Sequence, residues 1–220
     1  MSLTIPFETG RHAMGESIDG FLEAAESIGE LDLLEPSRCA GWSRMDVVVH
    51  VLAGWQEMFG GLVSPVESEP TVDAASFWTQ FADQYTTDDP IPVIMSQRRR
   101  TAAYARPASA MAQLRDVAEA ARRAVDAVAD RPVLWDGRVY SAGDYLAVWA
   151  VEDVVHQLDL RVDVAPPASG LSIARNTIEA LIDEPLPAGL DDAEATLIGT
   201  GRIDVPADWG ALAARLPALG

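Results

Sequence analysis

The sequence predicts a mainly all-α protein, a four-helix bundle with a short C-terminal extension. Three observations carry this. Apolar residues recur at the helical period through most of the first 165 residues, and alternating runs of strand type are scarce. Two capping-box patterns, Ser43-Arg44-Met45-Asp46 and Ser141-Ala142-Gly143-Asp144, each open an apolar stretch.

The first helix is expected from Glu8 to Leu34, with Ile18, Phe21, Leu22, Ala25 and Ile28 near one face and Pro36 closing it. The second starts at Ser43 and runs to Phe59, where Gly60-Gly61 stops it. Residues 61–72, rich in Ser, Pro and Glu, read as a loop. A shorter helix spans Asp73 to Tyr85 with Phe77, Trp78 and Phe81, and the chain breaks again over Asp88 to Pro92. Helices from Ile94 to Ala105 and from Ser109 to Ala129 follow, separated by Pro107; the latter spaces Met111, Leu114, Val117, Ala121 and Val125 along one face.

Arg131 to Tyr140 reads as a turn with short extended pieces, after which an apolar helix runs to about Val162 before Pro166-Pro167. Four long helices, each with one apolar face, pack most economically as a bundle over residues 1–165. Residues 166–220 hold one helix, Ser172 to Ile182, and a Pro-rich tail in which Ala195 to Val205 is strand or helix.

Composition narrows the chemistry. The 220 residues, 49% hydrophobic and 23% charged, suffice for a substantial core. A formal charge of −18 with no basic tail argues against nucleic acid and anionic membranes and for a small partner. All sixteen basic residues are Arg, which excludes Schiff bases, pyridoxal attachment and a Walker A loop. The same bias matches GC-rich codon usage and points to a high-GC bacterium. The single cysteine, Cys39, allows no internal disulfide. No signal peptide and no run of 18 apolar residues is visible, so the expected location is the cytoplasm.

The three histidines can be weighed singly. His50 lies mid-helix on the face of Val47, Val51 and Gly54, and His156 lies in an apolar stripe four residues after Glu152. Residues i and i+4 differ by about 40° around the helix axis, so Glu152 and His156 project side by side and can close on one ion. A carboxylate among Tyr145, Val148, Trp149 and Val151 would pay heavily for burial unless paired, and a divalent cation would settle that cost. If the second and fourth long helices face each other, His50 completes a His2Glu set. Imidazole and carboxylate at about 2.0 to 2.2 Å suit Zn²⁺, with the fourth position open as in catalytic sites; Ni²⁺ or Fe²⁺ fits by ligand type. The competing reading is a core hydrogen bond between Glu152 and His156. His12 is expected to face solvent.

Cys39-Ala-Gly-Trp-Ser-Arg-Met-Asp46 leading into Val47-Val-Val-His-Val-Leu-Ala-Gly54, with Glu152-Asp-Val-Val-His-Gln-Leu-Asp-Leu160, resembles the two signature segments of the mycothiol-dependent maleylpyruvate isomerase N-terminal family. That family lies within the DinB-like metal-binding superfamily. The resemblance covers roughly residues 10–165, and Leu197-Ile-Gly-Thr-Gly-Arg202 with the Leu-rich tail is similar to the ending of shorter members. It implies a DinB-like bundle, zinc held at His50, Glu152 and His156, and mycothiol, a thiol of high-GC actinobacteria, approaching the metal as thiolate. The isomerase proper carries a larger C-terminal domain in its cleft, whereas roughly 55 residues follow the signature helix here. The resemblance therefore carries the metal site further than the substrate.

Neighbouring residues have plainer readings beside the functional ones. Asp159, one turn past His156, either orients the imidazole from behind the metal or is a solvated helix position. Asp46 is explained by its cap. Cys39, with no basic partner adjacent in sequence, reads as a small hydrophobe rather than a nucleophile. Trp42, Trp55 and Trp149 either wall a pocket or pack the core, and Gly54 leaves room beside the metal or serves close helix packing. Arg98-Arg99-Arg100 either binds an anionic substrate or is the wet face of a helix.

The expected function is a metal-dependent, mycothiol-dependent transferase or isomerase acting on a small electrophile, with no protein nucleophile. The alternatives are a hydrolase using metal-bound water and a metal-binding DinB-like protein without catalysis.

Overall fold

The computed structural model describes residues 1–85 and 89–219. Asp88, where the break before Pro90 is expected to begin, and Gly220 lie outside the described residues. The helices are α1 (Phe7–Glu26), α2 (Arg44–Leu62), α3 (Ser76–Tyr85), α4 (Ile91–Thr101), α5 (Pro107–Ala127), α6 (Ala142–Asp159), α7 (Ala168–Ile182) and α8 (Asp192–Gly199). Strands β1 (Val133–Trp135) and β2 (Arg138–Tyr140) precede α6, and 3-10 turns occupy Asp32–Leu34 and Ala207–Arg215.

Four of these helices form the bundle. α1 packs against α5 and α6, and α2 also packs against α5 and α6. α1 and α6 approach most closely where Gly10 meets Gly143: a Cβ on Gly10 would stand 2.4 Å from the Gly143 carbonyl oxygen. α7 covers α6 and α1 from outside, with α8 against α7 and α6. Leu171, Ile173, Ile178, Ala195 and Leu219 join the same core as the bundle residues. α6 is thereby enclosed on all sides, and sixteen of its eighteen residues are buried, more than the single apolar face expected of it.

The caps set where the site helices begin. Ser43 accepts the Asp46 amide and Asp46 accepts the Ser43 amide, the reciprocal capping box read from the sequence. At α6 only half of that pattern forms. Ser141 accepts the Asp144 amide, but Asp144 Oδ1 accepts the Ile5 amide at 2.7 Å, tying the segment before α1 to α6.

Several boundaries differ from expectation for physical reasons. α1 ends at Glu26, where Ser27 bonds back to Ala24, and the run to Leu34 becomes a separate 3-10 turn after Gly29. α2 continues through Gly60-Gly61, because Gly61 lies against the Tyr145 ring and a larger residue would not fit. α6 stops at Asp159, and Arg161 follows in the left-handed region. The extended pieces near residue 135 form a hairpin whose Asp136-Gly137 turn has positive φ at both positions, the geometry two-residue hairpins favour. Of the undecided segment Ala195 to Val205, the part up to Gly199 is helical and the remainder is neither helix nor strand.

Candidate metal centre

α2 and α6 face each other, which brings His50 to the Glu152–His156 pair. One ligand atom from each of the three residues lies within 4.8 Å of the others. His156 Nε2 is 3.1 Å from Glu152 Oε2, and the His50 and His156 rings meet edge to face with centroids 4.6 Å apart. His156 is buried, while His50 and Glu152 are half-buried at the floor of a pocket.

The second nitrogen of His156 has its own partner. Nδ1 lies 3.0 Å from Asp159 Oδ2, on a carboxylate that is fully buried. With Asp159 accepting from Nδ1–H, Nε2 is the nitrogen left facing Glu152 and His50. Asp159 is therefore a buried group oriented on the imidazole, not a solvated helix position.

Sequence reasoning missed what holds Asp159. Arg202, from the segment after α8, donates through Nε to Asp159 Oδ1 at 3.2 Å and through Nη1 to the Thr200 carbonyl at 2.8 Å. Only its membership in the quoted Leu197–Arg202 segment hinted at it. Cys39 Sγ donates to Asp159 Oδ2 at 3.0 Å and lies 3.8 Å from Arg202 Nη2. The expectation that Cys39 lacks a basic partner is corrected: the fold supplies Arg202 and His156 from distant segments. Cys39, His156 and Asp159 form a second cluster of ligand types. There the Arg202 cation already neutralises the carboxylate, so this cluster supports His156 rather than competing for an ion.

The electrostatics separate the two histidines. Burial, then the charge of His156, pulls His50 down to about 4, so it is neutral near pH 7, the form with a free lone pair. Burial works against a charge on His156, but Asp159, Cys39 and Glu152 hold its pKa well above the usual value. Burial raises Glu152 and Asp159, and in both the bond to His156 together with the neighbouring positive charges outweighs it, leaving each carboxyl low. Asp153, beside Glu152, is different. Burial pushes it up to about 8, and it accepts from Trp55 Nε1 at 2.9 Å.

The pocket above the cluster holds about 110 Å³, lined by Phe77, Trp135, Val148, Trp149, Glu57 and Arg100 among others. α3 and the β1–β2 hairpin thus supply aromatic walls. Trp149 is a wall residue, Trp55 is buried in the core, and Trp42 stacks over His156 and tilts against His50. Gly54 serves both readings: it lines the pocket, and a Cβ there would stand 3.1 Å from the Trp149 ring. His12 is exposed beside Glu16. Among the described residues, 166–220 contribute nothing to the pocket lining; their contact with the site is Arg202.

A helical bundle carrying a His2Glu cluster beneath a small aromatic pocket defines a class of protein with a candidate cation site at the interface of two bundle helices. The sequence profile of the mycothiol maleylpyruvate isomerase N-terminal domain matches residues 14–161, and the chain belongs to that family. The fold is similar to the crystal structure of the mycothiol-dependent maleylpyruvate isomerase (TM-score 0.62, 14% identity, 90% of each chain covered). It is similar also to the structure of a histidine-to-alanine mutant of that enzyme (TM-score 0.60, 15% identity, 90% of each chain). The likeness reaches past the bundle, so the expected disparity in C-terminal size does not hold. No curated protein matches the sequence. Among the described residues no helix is long and apolar enough to cross a membrane.

Proposed function

We propose that the chain is a metal-dependent enzyme that uses mycothiol as cosubstrate to transfer onto, or isomerise, a small electrophilic substrate, with zinc as the metal. The observation that carries this reading is the donor set: two imidazoles and a carboxylate within 4.8 Å of one another, at the floor of a pocket rather than sealed in the core. Family membership supports the thiol and the reaction class.

The donor chemistry fits the ion. Neutral His50, ionised Glu152 and His156, which would bind through Nε2 once the ion displaces its proton, are the three ligands, and His2Glu is a set that zinc takes in catalytic sites with one position open. When bound, zinc would supply Lewis acidity that keeps a thiol ionised at neutral pH.

The chain's own residues do the rest. Asp159 holds the His156 ring and its tautomer, and Arg202 holds Asp159. Phe77, Trp135 and Trp149 keep water from the reacting carbon and leave space for a small substrate.

The test is elemental analysis of untagged protein beside the His50→Ala and His156→Ala variants, followed by thiol consumption with a small electrophile. The expected result is about one equivalent of zinc, lost together with thiol transfer in both variants. Full zinc in either variant removes the ligand assignment; zinc without thiol-dependent turnover removes the enzymatic one.

A further inference from the structure

Among the described helices α4 alone carries no acid. Its inner side is seated by Gln97, which is buried and donates to the Asp46 carbonyl at 2.8 Å, and by Ile94 against Gly41. On its outer side Ile91, Met95 and Arg99 follow at four-residue spacing, so they share one exposed face. An arginine run at a helix C-terminus complements the macrodipole, which accounts for the charges but not for bare apolar side chains beside them. Arg98 donates to the Gly41 carbonyl at 2.6 Å, and Arg99 has neither an ion pair nor a hydrogen bond among the described residues.

A second strip lies across a groove from this one. Leu34 and Pro36 line the groove on one side, and Arg98, Thr101 and Ala102 line it on the other. The Leu34 side is the 3-10 turn Asp32–Leu34 with its flanks, where Leu31 and Leu34 are both more than half exposed. The turn is held in place from below by buried Leu33 and from behind by the Arg44 amide, which donates to the Glu35 carbonyl at 2.9 Å. Its charge is of the opposite sign. Asp32 and Glu35 are exposed and their carboxylates are unpaired among the described residues, whereas Glu30 is taken by Arg106.

One strip is apolar and basic, the other apolar and acidic, and they flank the same groove. Within one chain they do not meet, since Gly41, Trp42 and Ser43 stand between them. A two-fold axis along the groove carries the turn of one copy onto α4 of the other and repeats the contact on the far side. Because Leu34 and Arg98 line the same groove, the arginines come level with the acids of the other copy. A formal charge of −18 makes two copies repel at long range. At physiological ionic strength, however, charges more than about 8 Å apart are largely screened, while pairs in contact are not.

We propose that this face, residues 31–35 with the outer side of α4, binds a second copy of the chain as a closed two-fold dimer. Leu31 and Leu34 of each copy pack on Ile91 and Met95 of the other, and Arg99 pairs with Asp32 and Glu35. The apolar contact supplies the attraction, and the paired charges fix the register and reject the unflipped arrangement, in which arginine would face arginine. Every contact in such an interface is made twice, so each substitution acts twice. Nothing in it depends on the metal or on the reaction.

The test is sedimentation velocity of the full chain at about 0.15 M salt, from about 5 to about 500 µM. The expected result is a monomer–dimer equilibrium that stops at two. Met95→Asp should weaken it about tenfold or more, as should Arg99→Glu alone and a variant carrying Asp32→Arg with Glu35→Arg. Mixing the two charge-reversed variants should restore the dimer, because both copies of each pair are then of opposite sign. Val63→Ser, an exposed apolar residue just beyond the far end of α2, should behave as wild type. All of these side chains are exposed, and unchanged thermal melts confirm that the variants fold. A wild type that stays monomeric throughout overturns the proposal and leaves the face to a different partner. So does a dimer that Met95→Asp and Arg99→Glu leave intact, a mixture that fails to recover it, or growth beyond two copies.

Discussion

The Arg202 guanidinium and the Asp159 carboxylate, 43 residues apart in the chain, meet at 3.2 Å directly behind His156. Asp159 is fully buried, so removing the cation leaves a carboxylate that water cannot reach. Breaking such a pair costs about 3 to 5 kcal/mol. Since Asp159 orients the imidazole, Arg202→Gln should also weaken zinc about 10- to 100-fold, the range for lost support behind a metal ligand. Urea unfolding and competition with a chelator check the two effects. Lost stability with unchanged zinc affinity would restrict the pair to the fold.

The proposed ligands were legible because each signal was local. Glu152 and His156 are i and i+4 on one helix, and His50 lies on a short apolar stripe behind a capping box. Arg202, Cys39 beside Asp159, and Trp55 bonded to Asp153 were not, since each joins segments far apart in sequence. Similarly, Gly60-Gly61 reads as a helix stop until Tyr145 is packed against it. The amphipathic pattern showed four bundle helices but not that α6 is covered on its outer side by α7 and α8.

The Gly10–Gly143 contact gives a sharp packing test. A Cβ on Gly10 meets the Gly143 carbonyl at 2.4 Å, and that atom is backbone, so no side chain can move aside. Gly10→Ala should separate α1 from α6 at a cost of about 1 to 3 kcal/mol. Gly15→Ala is the control, because a Cβ there meets nothing within 4 Å. Thermal melts of the two variants should differ by several degrees; equal melting would deny the close approach.

The C-terminal segment is the subject of a truncation test. Residues 166–220 pack Leu171, Ile173, Ile178 and Leu219 into the same core as the bundle and deliver Arg202 to the site. We expect a fragment ending at residue 166 to expose the outer face of α6 and α1, to aggregate or unfold at lower denaturant, and to bind zinc weakly. Native-like cooperative unfolding of that fragment, with zinc bound as in the full chain, would make the bundle an independent domain.

Asp73 couples pH to the pocket wall. Its Oδ1 accepts the amides of Ala75 and Ser76 at 2.9 and 2.8 Å at the start of α3, the helix that carries Phe77. Burial raises its carboxyl, but these amides and the Ser2 hydroxyl outweigh that and leave it below the usual value. A lowered folded-state pKa means that the stabilisation is complete above the unfolded carboxyl's value, near 3.9, and is lost as pH falls through the folded one. Asp73→Asn should therefore destabilise the protein at pH 7, and the difference should narrow as pH falls below the unfolded carboxyl's value, near 3.9. Urea midpoints for both proteins from pH 7 to about pH 2 measure it. A constant gap across that range would mean that Asp73 acts by shape and neutral hydrogen bonding, not by its charge at the helix start.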